Sequence, residues 1–115
     1  MPKSTKEPKL RVEKLESLMQ ELLGPIVAEY TNEHKALVTV SKVEVSGDMR
    51  HAKVWLSILG GNDDTILAVL KKNIYDIQGD VNRTLPMKII PRIQFELDTS
   101  PRFAQHISEI LDKLD

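Results

Sequence analysis

The chain has no cysteine, which excludes disulfides, thiol nucleophiles and cysteine-bound metal, and suits a reducing compartment. Aromatic residues are scarce: one Trp, two Tyr and two Phe in 115 residues, so the core has to be built from aliphatic side chains. No stretch of eighteen apolar residues occurs, so no segment reads as a membrane-spanning helix. The first nine residues, Met-Pro-Lys-Ser-Thr-Lys-Glu-Pro-Lys, are basic but lack the apolar run of a secretory signal. Charge of one sign is also missing. Sixteen Lys and Arg stand against seventeen Asp and Glu, so a nucleic-acid partner would need a local basic face rather than an overall basic chain. One stretch provides it: Lys71, Lys72, Arg83, Lys88 and Arg92 against Asp76 and Asp80. Charge runs of this kind are also what the solvated side of an amphipathic helix looks like.

No constellation for catalysis stands out. His34, His51 and His106 are scattered without metal-ligand spacing. Asp63-Asp64 reads as the acidic first turn of a helix, where carboxylates meet the positive end of the dipole. Gly60-Gly61 lacks the Lys-Ser/Thr of a phosphate-binding loop. The expectation is a non-enzyme with no cofactor, no metal site and no small-molecule substrate.

What is present is a clear alternation of periods. Residues 1–8 read as a flexible polar tail, and residues 9–115 as a single domain. Helical spacing joins Val12, Leu15, Met19, Leu22, Leu23, Ile26, Val27 and Tyr30, with a kink or break expected at Pro25. Residues 31–35 form a polar loop. Two alternating strands then flank the turn Ser46-Gly47-Asp48. Val38 and Val40 share one phase and Val43 and Val45 the other, so a bulge is expected at residues 41–42. Ala52, Val54, Leu56 and Ile58 face the core, and Trp55 points away from it.

Asn62 is placed to cap a second helix carrying Ile66, Leu67, Leu70, Ile74, Ile77, Val81 and Leu85. Pro86 ends that run, and Gly79 marks an expected bend within it. A third strand is expected from about Met87 to Asp98, with Ile89, Ile93, Phe95 and Leu97 on one face. Pro91 confines it to an edge or a bulge. Pro101 opens a last helix burying Phe103, Ile107, Ile110, Leu111 and Leu114. Helices segregated to one face of a small three-stranded sheet make an α+β fold.

Two motifs carry a resemblance. Val43-Glu44-Val45-Ser46-Gly47-Asp48, followed by Ala52-Lys53-Val54, resembles the ribosome-binding factor A family. So does Pro91-Arg92-Ile93-Gln94-Phe95-Glu96-Leu97-Asp98-Thr99-Ser100. The resemblance implies a type II KH-like fold in the order α-β-β-α(kink)α-β-α. It also implies a cytoplasmic, monomeric, non-catalytic factor that binds the immature small ribosomal subunit with its 16S-type rRNA and assists late maturation.

In that family a helix–kink–helix element, Ala-x-Gly followed by a basic residue, replaces the KH Gly-x-x-Gly turn. Read forward from Ala52, the kink falls on Ile77-Gln78-Gly79, followed by Asn82-Arg83. Read backward from Pro91, it falls on Asn73-Ile74-Tyr75, and Gln78 stands in the arginine's place. The first reading supplies the glycine and is preferred here. The RNA-binding residues so implied are Lys71, Lys72, Gln78, Gly79, Asn82 and Arg83, with Lys88 and Arg50 beside them. The rival is a protein-interaction or scaffold domain of the same α+β topology, using Trp55 and the open sheet face.

Overall fold

The computed structural model describes residues 8–99. Helix α1 (Pro8–Thr31) leads through a 3-10 turn (Asn32–His34) into strands β1 (Leu37–Val45) and β2 (His51–Leu59). Helices α2 (Asp63–Lys72) and α3 (Ile74–Thr84) follow, then strand β3 (Arg92–Leu97). The sheet order is β1-β2-β3, with β1 antiparallel and β3 parallel to the central β2. Parallel neighbours need a crossover, and α2 and α3 are that crossover. The last helix expected from Pro101 lies outside the described residues.

The core is aliphatic, as the shortage of aromatics requires. Leu15, Met19, Leu23 and Val27 of α1 lie against the valines of β1 and against Ala52, Val54 and Leu56 of β2. Ile66, Leu70, Ile77 and Val81 close it from α2 and α3, and Ile93 and Phe95 from β3. The helix also covers the β1 edge with polar groups. Gln20 Nε2 donates to the Val40 carbonyl at 3.1 Å and Glu16 accepts from Val45 N–H at 2.9 Å. These bonds occupy edge groups that would otherwise be open to another strand.

The bulge is where the valine phases place it. Val40 pairs with Leu56 and Lys42 with Trp55, so Ser41 is the extra residue, and Val40 and Val43 are both buried. The displaced Ser41 hydroxyl donates to Asp98 Oδ2 at 2.8 Å, and Asp98 N–H donates to the Leu56 carbonyl at 2.9 Å. The bulge in the first motif and the aspartate of the second are thus bonded partners across β2.

The hairpin turn is held by its own polar side chains. Asp48 Oδ1 accepts from the Ser46 hydroxyl at 2.6 Å and from Arg50 N–H at 3.1 Å. The Ser46 bond and then the Arg50 bond hold the Asp48 carboxyl below the usual carboxylate range. A carboxyl depressed in the folded state adds stability that is complete above its unfolded pKa of about 4 and is lost as pH falls through the folded value. Thermal melts across this acid range should therefore show a shallower loss of stability for Asp48→Asn than for wild type. Equal slopes would remove Asp48 from the acid transition.

Four expectations are corrected. Helix α1 is not broken at Pro25 but continues through it to Thr31; proline deletes one hydrogen bond, and Leu23 and Val27 on either side of it stay buried in the core. Thr31 belongs to α1 rather than to the loop: it is buried, and its hydroxyl donates to the Val27 carbonyl at 2.8 Å. Strand β3 starts at Arg92 instead of Met87, because Pro91 has no N–H for the ladder. Ile89, outside the strand, is exposed rather than on the core face, and Leu97 is only half-buried.

The fourth correction is the interruption between the helices, which falls at Asn73 and not at Gly79. Asn73 has φ −98° and ψ 14°, and its Nδ2 donates to the Val69 carbonyl at 2.8 Å. Its side chain competes with the backbone for the i−4 carbonyl, the mechanism by which asparagine ends helices. Gly79 instead sits inside α3 with open space around it. A Cβ there would meet only the Arg83 guanidinium tip, at 3.4 Å. Gly79→Ala should therefore stabilise the domain by about 0.5–1 kcal/mol, read as a melting temperature raised by roughly 2–6 °C. A lowered melting temperature would mean that the glycine backbone is required for the bend after all. Gly61 is the opposite case, since its Cβ would stand 2.7 Å from that of Ala36.

Candidate nucleic-acid interface

The candidate surface is built on the α2–α3 crossover. Ile77 and Val81 turn inward, which leaves Tyr75, Asp76, Asn82 and Arg83 exposed. Lys71 and Lys72 are the last residues of α2 and are exposed. Their local role is to meet the negative end of the α2 dipole. Neither makes an ion pair among the described residues, so both charges face solvent.

The other expected residues are distributed unevenly. Gln78 points inward and acts as a clamp. Its Oε1 accepts from Ile93 N–H at 2.9 Å, and its Nε2 donates to the Pro91 carbonyl at 3.1 Å and lies 3.1 Å from Asn82 Oδ1. Its amide is committed to seating β3 on α3, and Asn82 is tied to it. Arg83 is bonded to Asp80 one turn back, which offsets its charge. Lys88 is exposed in the loop before β3. Arg50 is exposed in the hairpin, where its carbonyl accepts from Arg92 N–H at 2.9 Å. That bond brings Arg50 and Arg92 together at the start of β3, a few residues from the Gln78 clamp.

Sequence reasoning missed one feature of this surface. A groove of about 410 Å³ runs over α3 and is lined by Tyr30 of α1 with Tyr75, Asp76, Gly79, Asp80 and Arg83. Partial burial, and then the carboxylates of Asp80 and Asp76, hold the Tyr30 phenol above its ordinary pKa. The exposure of Tyr75 was legible, since it lies off the Ile74/Ile77/Val81 stripe. The approach of Tyr30 from another helix was not.

The opposite face of the sheet is polar. Trp55 is half-buried, its Nε1 donates to Glu44 at 2.9 Å, and Lys42 Nζ stands 6.0 Å from its ring. The Thr39 and Ser57 hydroxyls bond to each other beside it. An indole engaged in this way leaves little apolar surface for docking. Among the described residues no group of three or more His, Asp and Glu could hold a metal, and no helix is long and apolar enough to cross a membrane.

The model of one protein family, ribosome-binding factor A, matches residues 11–111. The chain belongs to the ribosome-binding factor A family. A ribosome-binding factor A from Nitrosococcus oceani is 37% identical over 100 residues, covering 85% of this chain and 79% of that protein. Another from Natranaerobius thermophilus is 32% identical over 109 residues, covering 92% and 83%. The crystal structure of the Thermus thermophilus ribosome-binding factor A superposes with a TM-score of 0.59 at 20% identity, over 75% of this chain and 94% of that one. A solution structure of a Thermotoga maritima protein described as a ribosome binding factor A gives 0.54, also at 20% identity. The architecture is accordingly the KH-like α+β fold. The interruption at Asn73 lies in the second of the two stretches to which the resemblance could assign the kink, and Tyr75 beside it is exposed.

Proposed function

We propose that this protein binds the immature small ribosomal subunit and assists late maturation of its rRNA as a non-catalytic, monomeric, cytoplasmic RNA-binding factor. Membership of the family supports the ribosome as partner. The observation that carries the choice of surface is the exposed pair Lys71 and Lys72 at the α2–α3 junction, free of ion pairs among the described residues. Lysine and arginine that meet phosphate release condensed counterions, and this supplies most of the affinity of such interfaces. Lys88 and Arg50 extend the basic surface toward the start of β3. Arg83 contributes less, since Asp80 already holds it. Gln78 and Gly79 shape the surface from beneath, and Asn82 borders it.

The test is co-sedimentation of the full chain with purified small and large subunits over a salt series. Binding to small subunits, with affinity falling steeply as salt rises, is the expected outcome. Equal binding to both subunits, or to neither, would overturn the proposal.

A further inference from the structure

Both tyrosines of this chain, separated by 45 positions, line the same groove over α3. Tyr30 also packs against the core from α1, whereas Tyr75 takes no part in it. Tyr75 is 87% exposed. Large aromatics left this open are a feature of surfaces that stack a ligand. Gly79 lines the groove without a side chain, and of the neighbouring side chains only the Arg83 tip comes within 4 Å of where a Cβ would be. The groove volume of about 410 Å³ is that of a small-molecule site.

The charges decide what can enter. Asp76 and Asp80 both face the groove. Asp80 is held by Arg83, whereas Asp76 has no ion pair among the described residues. A phosphate is repelled there. An ionised carboxylate only accepts hydrogen bonds, so it selects a flat ligand with two adjacent donors. Among the four RNA bases that edge belongs to guanine, whose N1–H and N2–H₂ lie side by side. Adenine and cytosine place an acceptor nitrogen next to their amino group, and uracil flanks its one N–H with two carbonyls. Lys71 and Lys72, the last residues of α2 and without ion pairs among the described residues, favour a phosphate-bearing chain over a basic peptide.

We infer that this groove holds one unpaired guanine of a bound RNA, stacked on Tyr75 beside Tyr30, with its Watson–Crick edge on Asp76. The inference rests on the RNA-binding reading above and adds to it a base preference.

The probes are four RNA hexamers, UUUGUU, UUUAUU, UUUCUU and UUUUUU, titrated into the full chain by fluorescence anisotropy. UUUGUU should bind at least several-fold tighter than the others, and should alone shift the Gly79 amide resonance. Tyr75→Ala should weaken UUUGUU by about five- to 150-fold, the range for losing one base–aromatic stack, while its melting temperature stays near that of wild type. Asp76→Asn should keep the stacking but erase the preference for guanine. Equal affinity for the four hexamers, or no effect of Tyr75→Ala, overturns the inference. Tyr75-dependent binding of an octa-arginine peptide without a guanine preference assigns the groove to a basic protein and overturns it as well. These failures leave small-subunit co-sedimentation untouched, whereas loss of co-sedimentation by wild type fails the broader proposal whatever the hexamers do.

Discussion

Val54→Asp should leave this chain without a cooperative fold. Val54 is fully buried in the central strand, paired with Val43 on one side and Phe95 on the other. An aspartate there has only aliphatic and aromatic neighbours of the core cluster. Burial of this kind raises a carboxyl pKa by up to 3–5 units, so the group protonates at neutral pH at a cost of about 4 kcal/mol, and the neutral carboxyl left without a hydrogen-bond partner adds about 1–3 kcal/mol. The lost burial of the valine adds about 1.5–3 kcal/mol. A domain of this size has about 5–15 kcal/mol in all, so most or all of its stability is consumed. The matched control is Lys53→Thr, one residue away on the exposed face, where substitutions usually stay within about 0.5 kcal/mol. Circular dichroism during heating should show no transition for the first variant and a near-wild-type one for the second. A folded Val54→Asp melting within a few degrees of wild type would mean that the sheet can open to water at its centre.

Replacing Lys71 and Lys72 together by glutamate should cut binding to small subunits while leaving the fold intact. Both side chains are exposed at the end of α2 and bear no core contact. Each phosphate contact adds about 0.9 to the slope of log affinity against log salt on duplex-like nucleic acid. Between 50 and 200 mM salt that is about a 3.5-fold change per contact, so losing two flattens the salt response by roughly tenfold. Affinity at low salt should fall by at least as much, because reversal adds repulsion. Arg83→Gln alone should do less than either lysine, since Asp80 already offsets the guanidinium. If the double variant sediments with small subunits as wild type does, with the same salt slope, the interface lies elsewhere. The basic groups Arg50, Lys88 and Arg92 at the start of β3 would then be the next surface to test.

The two predictions probe features that were legible to different degrees. Val54 was readable as core from alternation alone, because a strand period of two separates inward from outward positions without knowledge of a partner. The bulge was readable for the same reason: two valine pairs of opposite phase cannot both reach the core unless one residue is set aside. Asn62 as a helix cap was also local, and its Oδ1 accepts from Thr65 N–H at 2.9 Å as that role requires. Each of these needs only a few neighbouring residues and the backbone's own geometry.

The interruption in the crossover was harder, although its signal was present. Lys71-Lys72-Asn73 is a helix C-terminus in miniature, two cations at the negative end followed by a residue that leaves helical geometry readily. The glycine at 79 drew attention away because glycine is the commoner breaker. Inside α3 it simply leaves space. Gln78 could not have been assigned either. Its reach to Pro91 and Ile93 depends on where β3 lies against α3, and no periodicity encodes that.

The sequence by itself determined the order of the elements among the described residues, the inward faces of α1, β1 and β2, the bulge and the family, because these rest on local periods and on motifs contiguous in the chain. Only the tertiary structure decided which polar groups are free and which are occupied. It tied Ser41 to Asp98, spent Gln78 on a clamp, balanced Arg83 with Asp80, and left Lys71 and Lys72 without ion pairs among the described residues. It also brought Tyr30 of α1 to the groove beside Tyr75 of α3. Pairings between residues tens of positions apart are set by how the helices pack on the sheet, a property of the assembled core that no single segment contains.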